Sequence, residues 1–183
     1  MSPVQLADQR FPAKVVAALD AAGLAPGRLE VELTETAMVE DTASAVSALA
    51  QLRALGVRVS MDDFGTGYSS LTHLRTFELD RIKVDRSFVA SALEDRSCMA
   101  VLRAVVAMGG DLDVPVLGEG VETAEQLDLL AAIGCEGAQG YYLGRPMDGD
   151  AADALASEVA AEITVGRGEA DGATGTENAL NAA

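Results

Sequence analysis

Short runs in which apolar and polar residues alternate are separated along the chain by longer stretches whose apolar residues recur every three or four positions. The first pattern marks half-buried strands and the second amphipathic helices. Leu29 to Thr36 reads as a strand, with Leu29, Val31 and Leu33 on one face and Glu30, Glu32 and Thr34 on the other. In a second strand, Val57, Val59 and Met61 alternate with Arg58, Ser60 and Asp62. Arg81 to Asp85, Val114 to Val121 and Gly137 to Leu143 supply a third, fourth and fifth. Helices fall between them. One runs from Pro12 to Gly23 on the stripe Val15, Val16 and Leu19, and one from Thr42 to Gly56 on Val46, Leu49 and Leu52. A short helix spans Ser70 to Thr76, and a longer one, Glu94 to Met108, is closed by Gly109-Gly110. Another opens on the capping pattern of Thr123 and Gln126 and ends at Gly134. A last helix covers Asp150 to Ala161, while Met1 to Arg10 shows no clear periodicity. Residues 1–163 read as one domain and 164–183, poor in large apolar residues, as a disordered tail.

Alternating strands and helices imply a parallel sheet covered by helices. A doubly wound sheet and a β/α barrel both satisfy the pattern. The chain has no GxGxxG and no P-loop, which removes the best sign of the nucleotide-binding doubly wound folds. Instead a polar residue stands at or near the carboxyl end of every strand: Glu32, Asp62, Lys83, Glu119 and Gln139. A barrel active site has this arrangement, each strand delivering a side chain to a common mouth.

A length of 183 residues suits one domain with a sizeable core. Thirteen basic against 29 acidic residues give a formal charge of −16, which argues against DNA, RNA or anionic lipid as partner. Cys98 and Cys135 have no zinc-ligand spacing and only His73 to help them, so they read as ordinary thiols of a reducing compartment. No apolar run is long enough to span a bilayer, and no basic-then-apolar signal follows Met1; the expected location is cytoplasmic.

The stretch SMDDFGTGYSS, Ser60 to Ser70, sits where the second strand meets a loop. Adjacent Asp62 and Asp63 repel one another unless a cation or a set of donors neutralises them. Gly65 and Gly67 allow the sharp bend behind them and the close approach of a ligand. A bare Asp-Asp pair is most often a solvated turn, but strand-end acids elsewhere change that reading. Glu32, Asp62, Asp63 and Glu119 are hard oxygen donors suited to Mg²⁺ or Mn²⁺ rather than zinc. Two such ions could activate water and stabilise both oxygens of an in-line phosphoryl displacement. Lys83 would hold positive charge near the attacked phosphate, and Gln139 would orient water or substrate.

These blocks resemble the EAL domain family of cyclic-di-GMP phosphodiesterases. The matching segments are ELTET at Glu32 to Thr36, DDFGTGYSS at Asp62 to Ser70, KVDRSFV at Lys83 to Val89, GEGVET at Gly118 to Thr123 and QGYYLGRP at Gln139 to Pro146. The resemblance implies a (β/α)8 TIM-like barrel that hydrolyses one phosphodiester of cyclic-di-GMP to the linear dinucleotide with Mg²⁺ or Mn²⁺. It implies one metal at Glu32 and Asp62 and a second at Asp62 and Asp63. Lys83, Glu119 and Gln139 become catalytic groups, Glu119 lying beside the metals. Glu35 would hold the Asp63–Ser70 loop, which lies near a homodimer interface in this family.

The Glu-Ala-Leu motif and the Asn of the family's early strands are absent, and with them two metal ligands, a substrate-contacting Arg and roughly the first two β/α units. A complete barrel takes about 250 residues. The expectation is therefore an incomplete barrel. Three readings follow: a fragment of a normal enzyme, a truncated chain that binds cyclic-di-GMP or a protein partner without hydrolysis, or a half-barrel completed by a second chain.

Overall fold

A computed structural model of the chain describes residues 1–34, 42–65 and 77–157. By its internal contacts the chain divides into two compact units, Met1–Gly144 and Arg145–Ala183. The first unit holds α1 (Pro3–Ala7), α2 (Phe11–Ala22), β1 (Glu30–Thr34), α3 (Thr42–Ala54) and β2 (Arg58–Phe64). It continues with β3 (Arg81–Val84), α4 (Arg86–Ser91), α5 (Arg96–Asp111), β4 (Val116–Gly118), α6 (Ala124–Ala132) and β5 (Gly137–Ala138). In the second unit residues 149–157 are helical, and Asp148 caps that run by accepting from the Ala151 N–H at 2.9 Å.

The five strands form one parallel sheet in the order β1-β2-β3-β4-β5. A doubly wound sheet reverses direction at a switch point. Here each strand lies beside its predecessor without reversal, as in part of a barrel wall, so the incomplete TIM-like barrel is the observed architecture. One face carries Val31, Leu33, Val59, Met61, Ile82, Val84 and Val116, each less than 10% exposed. Helices α3, α5 and α6 contribute Leu49, Leu52, Leu102, Val105 and Leu130 to the same core.

Register fixes what the other face carries. Parallel partners share a face, so Glu30 aligns with Arg58, Glu32 with Ser60, and Ser60 with Arg81. Lys83 aligns with Leu117, and Leu117 with Gly137. Two residues further on, beyond the ends of β4 and β5, come Glu119 and Gln139. The strand-end polar residues thus belong to one face of one sheet.

Several boundaries differ from expectation for definite reasons. The first ten residues contain α1, held by a capping box between Ser2 and Gln5 and anchored by buried Leu6. α5 does not close at Gly109-Gly110 but runs through them. A Cβ on Gly109 would lie 2.4 Å from Val116 Cγ2 and 2.7 Å from the Val114 carbonyl oxygen, so this glycine lets helix and strand approach. β3 stops at Val84 because Asp85 becomes the N-cap of α4, accepting from the Ser87 N–H. β5 is short because its continuation wraps the Val121 backbone. The Val121 N–H donates to the Gln139 carbonyl at 3.0 Å, and the Tyr142 N–H to the Val121 carbonyl at 3.0 Å. The helix expected over Ser70 to Thr76 lies outside the described residues.

Candidate active site

Lys83 is the centre of the polar face. Its ammonium donates to Glu32 Oε1 at 2.6 Å, to Asp62 Oδ1 at 3.1 Å and to Glu119 Oε1 at 2.5 Å. β1, β2 and the end of β4 supply these three carboxylates, and the lysine side chain between them is only 7% exposed. Burial works to strip the proton from Lys83, but hydrogen bonds to Glu119, Glu32 and Asp62 outweigh it and hold the ammonium well above its ordinary range. Among the described residues three carboxylates share that single ammonium, leaving an excess of negative charge.

Asp63 joins them through a backbone irregularity. In a regular strand Asp62 and Asp63 would point to opposite faces. Register shifts here: Met61 pairs with Ile82 but Phe64 with Val84, so β2 carries one extra residue. That residue is taken up as a bulge with Asp63 in the left-handed region at φ 55°. Aspartate tolerates this conformation better than most side chains. Gly65 follows at φ 100°, with the Phe88 ring so near that a Cβ would lie 2.7 Å from Cε2. The close neighbour of this glycine is therefore an aromatic side chain of α4, where sequence had suggested a ligand.

The bulge brings one carboxylate oxygen each from Asp62, Asp63 and Glu119 within 4.8 Å of one another. Such a set of hard oxygens fits a divalent cation. Burial raises the Asp63 pKa, with Asp62 and Asp85 adding to the effect and Lys83 opposing it. Burial also raises that of Glu119, against the pull of Lys83. Glu32 reaches this cluster through Lys83 and is not one of the three. Gln139 lines a pocket of about 460 Å³ beside Glu119 and Asp63. Glu35 and residues 66–70 of the loop lie outside the described residues.

The same pocket is lined by Asp85, Arg86, Glu122 and Tyr141, to which the sequence reading gave no role. Asp85 and Arg86 follow Lys83 in KVDR, and Glu122 follows Glu119 in GEGVE, so the signal lay inside motifs already singled out. Burial works to raise the Asp85 pKa, but hydrogen bonds from Ser87 overcome it and hold the carboxyl below its usual range.

Residues 1–146 match the EAL domain family. Over 130 residues, 71% of this chain, the sequence is 46% identical to the cyclic di-GMP phosphodiesterase NbdA of Pseudomonas aeruginosa and covers 17% of that protein. The c-di-GMP complex of the phosphodiesterase PaMucR superposes with a TM-score of 0.78 at 39% identity, over 82% of this chain and 61% of the other. The manganese and c-di-GMP complex of Klebsiella pneumoniae BlrP1 gives 0.73 at 34% identity, over 78% and 36%; BlrP1 has also been solved with calcium and c-di-GMP. The chain spans about a fifth of the length of the curated relatives it matches. Motif order, strand-end chemistry and these likenesses agree: the chain belongs to the EAL domain family.

Proposed function

We propose that this chain carries the catalytic face of a cyclic-di-GMP phosphodiesterase, cleaving one phosphodiester to leave the linear dinucleotide. The observation that carries the reading is the convergence of Glu32, Asp62 and Glu119 on Lys83, with Asp63 turned by the bulge toward the same mouth. Asp62, Asp63 and Glu119 would hold Mg²⁺ or Mn²⁺, with Glu32 adjoining. Such an ion, when bound, supplies a water acidified toward hydroxide and offsets charge on the phosphate oxygens. Hydrogen bonds to Glu119, Glu32 and Asp62 favour the protonated form of Lys83, so it would act as a positive charge in the site. Its three N–H groups are directed at Glu32, Asp62 and Glu119, so it would position those carboxylates and act on the phosphate through its charge. Gln139 offers an uncharged amide at the pocket wall to position the dinucleotide or water. Glu35 would brace the Asp63–Ser70 loop, and the same loop would serve a homodimer. A cytoplasmic setting goes with this reading; no helix among the described residues is long and apolar enough to cross a membrane.

A second reading has its own support. The chain covers 61% of PaMucR's solved chain and lacks the Glu-Ala-Leu and Asn ligands of the early strands. By itself it would bind cyclic-di-GMP, or a protein partner, with impaired turnover. Both readings are tested by incubating the purified chain with cyclic-di-GMP and Mn²⁺ and following the linear product, then titrating cyclic-di-GMP calorimetrically in Ca²⁺. Product formation supports the first reading. Binding without product supports the second, and neither binding nor product removes the first and leaves only the protein-partner form of the second.

A further inference from the structure

The pocket beside the Lys83 cluster is lined by Asp63, Asp85, Glu119 and Glu122, and Arg86 is the one cation among its described lining residues. Arg86 is exposed and makes none of the ion pairs found among the described residues. Its root is nevertheless fixed. A Cβ on Gly120 would lie 2.3 Å from Arg86 Cβ and 3.2 Å from its Cα, so the arginine stem rests on the residue following Glu119. The backbone there, with Gly120 at φ 71°, is shaped to admit that stem. The structure thus seats the arginine stem at the pocket wall, with its charge acting on Asp85, whose carboxyl it helps to hold low.

A cyclic dinucleotide carries two phosphodiesters in one ring. With one over the Asp62, Asp63 and Glu119 cluster, the other would fall near the pocket that Asp63 and Glu119 also line, whose acidic walls would repel it. We propose that Arg86 grips the phosphodiester that is not cleaved and so selects a cyclic dinucleotide over ligands with a single phosphate. A planar guanidinium can meet two phosphate oxygens at once, which an ammonium cannot match. The inference rests on reading the site as one for cyclic-di-GMP.

The test uses the full chain in Ca²⁺ and titrates cyclic-di-GMP and 5′-GMP calorimetrically into wild type, Arg86→Met and Arg86→Lys. Methionine keeps an unbranched stem against Gly120 and removes the charge, and a melting curve matching wild type confirms that the packing survives. One charge-assisted contact is worth about 10- to 100-fold in affinity. Arg86→Met should lose that much for cyclic-di-GMP and less than about threefold for 5′-GMP, with Arg86→Lys between wild type and Met. Binding of cyclic-di-GMP by Arg86→Met within twofold of wild type overturns the inference and leaves the function standing. Equal losses for both ligands overturn it too, since they mark a general field. Wild type that binds no cyclic-di-GMP removes the functional reading itself, and this inference with it.

Discussion

The polar face of the sheet has two ionic centres, and they are built on opposite principles. At the strand starts Glu30 accepts from Arg81 Nη1 at 3.0 Å through both oxygens, with Arg58 3.7 Å away. One acid thus faces two cations, so its charge is fully answered within the protein, and the surplus sits on the half-exposed Arg58, where solvent meets it. At the strand ends three acids share Lys83, with Asp63 turned in beside them. The first centre is complete as it stands and serves to tie β1, β2 and β3 together. The second carries more negative charge than its one ammonium can balance, a costly arrangement for partly buried groups. An excess of this kind is what a site for divalent ions requires, and a structural ion pair has no use for it.

The largest effect should come from Asp62, which serves both Lys83 and the three-carboxylate cluster. Asp62→Asn should lower Mn²⁺ affinity, read by calorimetry, and cyclic-di-GMP hydrolysis by about 100-fold or more, since losing even a group that only supports a metal ligand costs about 10–100-fold. Unchanged Mn²⁺ affinity would show that the two centres are alike. Ion binding should also appear in stability. At 100 times its dissociation constant a ligand adds about 2.7 kcal/mol, about 5–10 °C in melting temperature for a domain of this size. Exchange of EDTA for Ca²⁺ should raise the melting temperature of wild type and Arg81→Met alike, but not that of Asp62→Asn. A Ca²⁺ response lost in Arg81→Met would instead tie the ion to the strand starts.

The contrast was only half legible in the sequence. Period-two alternation placed Glu30 and Glu32 on one face and Val31 and Leu33 on the other, and sequential parallel pairing then gathered the strand-end residues without further instruction. What alternation could not show is the bulge. By period two, Asp62 and Asp63 belong to opposite faces; only the pairing of Met61 with Ile82 and Phe64 with Val84 reveals the extra residue. A bulge is a property of two strands, and no single strand announces it. Tyr141, Tyr142 and Leu143 have the β propensity of a strand, yet they are exposed, because Gly140 lies against the Val121 backbone and turns the chain. α1 has too few turns for periodicity to register, although its Ser2–Gln5 capping box was present to be read.

Gly140 should matter more to folding than the ionic centre at the strand starts. A Cβ there would lie 2.2 Å from both the nitrogen and the oxygen of Val121, where rigid backbone cannot yield as a side chain would. Gly140→Ala should cost about 3 kcal/mol in urea unfolding and misplace the neighbouring Gln139. Gly144→Ala, with nothing within 4 Å, should stay within about 0.5 kcal/mol. Arg81→Met comes next, at about 1 kcal/mol, because Arg58 still faces Glu30 and the arginine is about one-third exposed. A loss above 3 kcal/mol would mean that the centre at the strand starts is not self-sufficient.

The smallest effect belongs to a third ionic group, which separates the role of burial from that of charge count. Like Glu30, Asp8 faces two cations, accepting from Lys14 Nζ at 2.8 Å and from Arg10 Nε at 3.2 Å, but the side chains of Arg10 and Lys14 are 82% and 62% exposed. The hydrogen bond from Lys14, followed by those from Arg10, holds the Asp8 carboxyl below its ordinary value of 3.8. A lowered folded pKa stabilises the protein fully above the unfolded value and ceases to do so as pH falls through the folded one. Asp8→Asn should therefore melt slightly below wild type at pH 7, and the gap should begin to narrow near pH 4 and close at lower pH. Salt at 0.5 M should shrink the same gap, because exposed pairs are screened, while the Arg81→Met deficit persists. A gap that ignores both pH and salt would assign Asp8 to hydrogen bonding alone, and exposure would then no longer explain why it differs from Glu30.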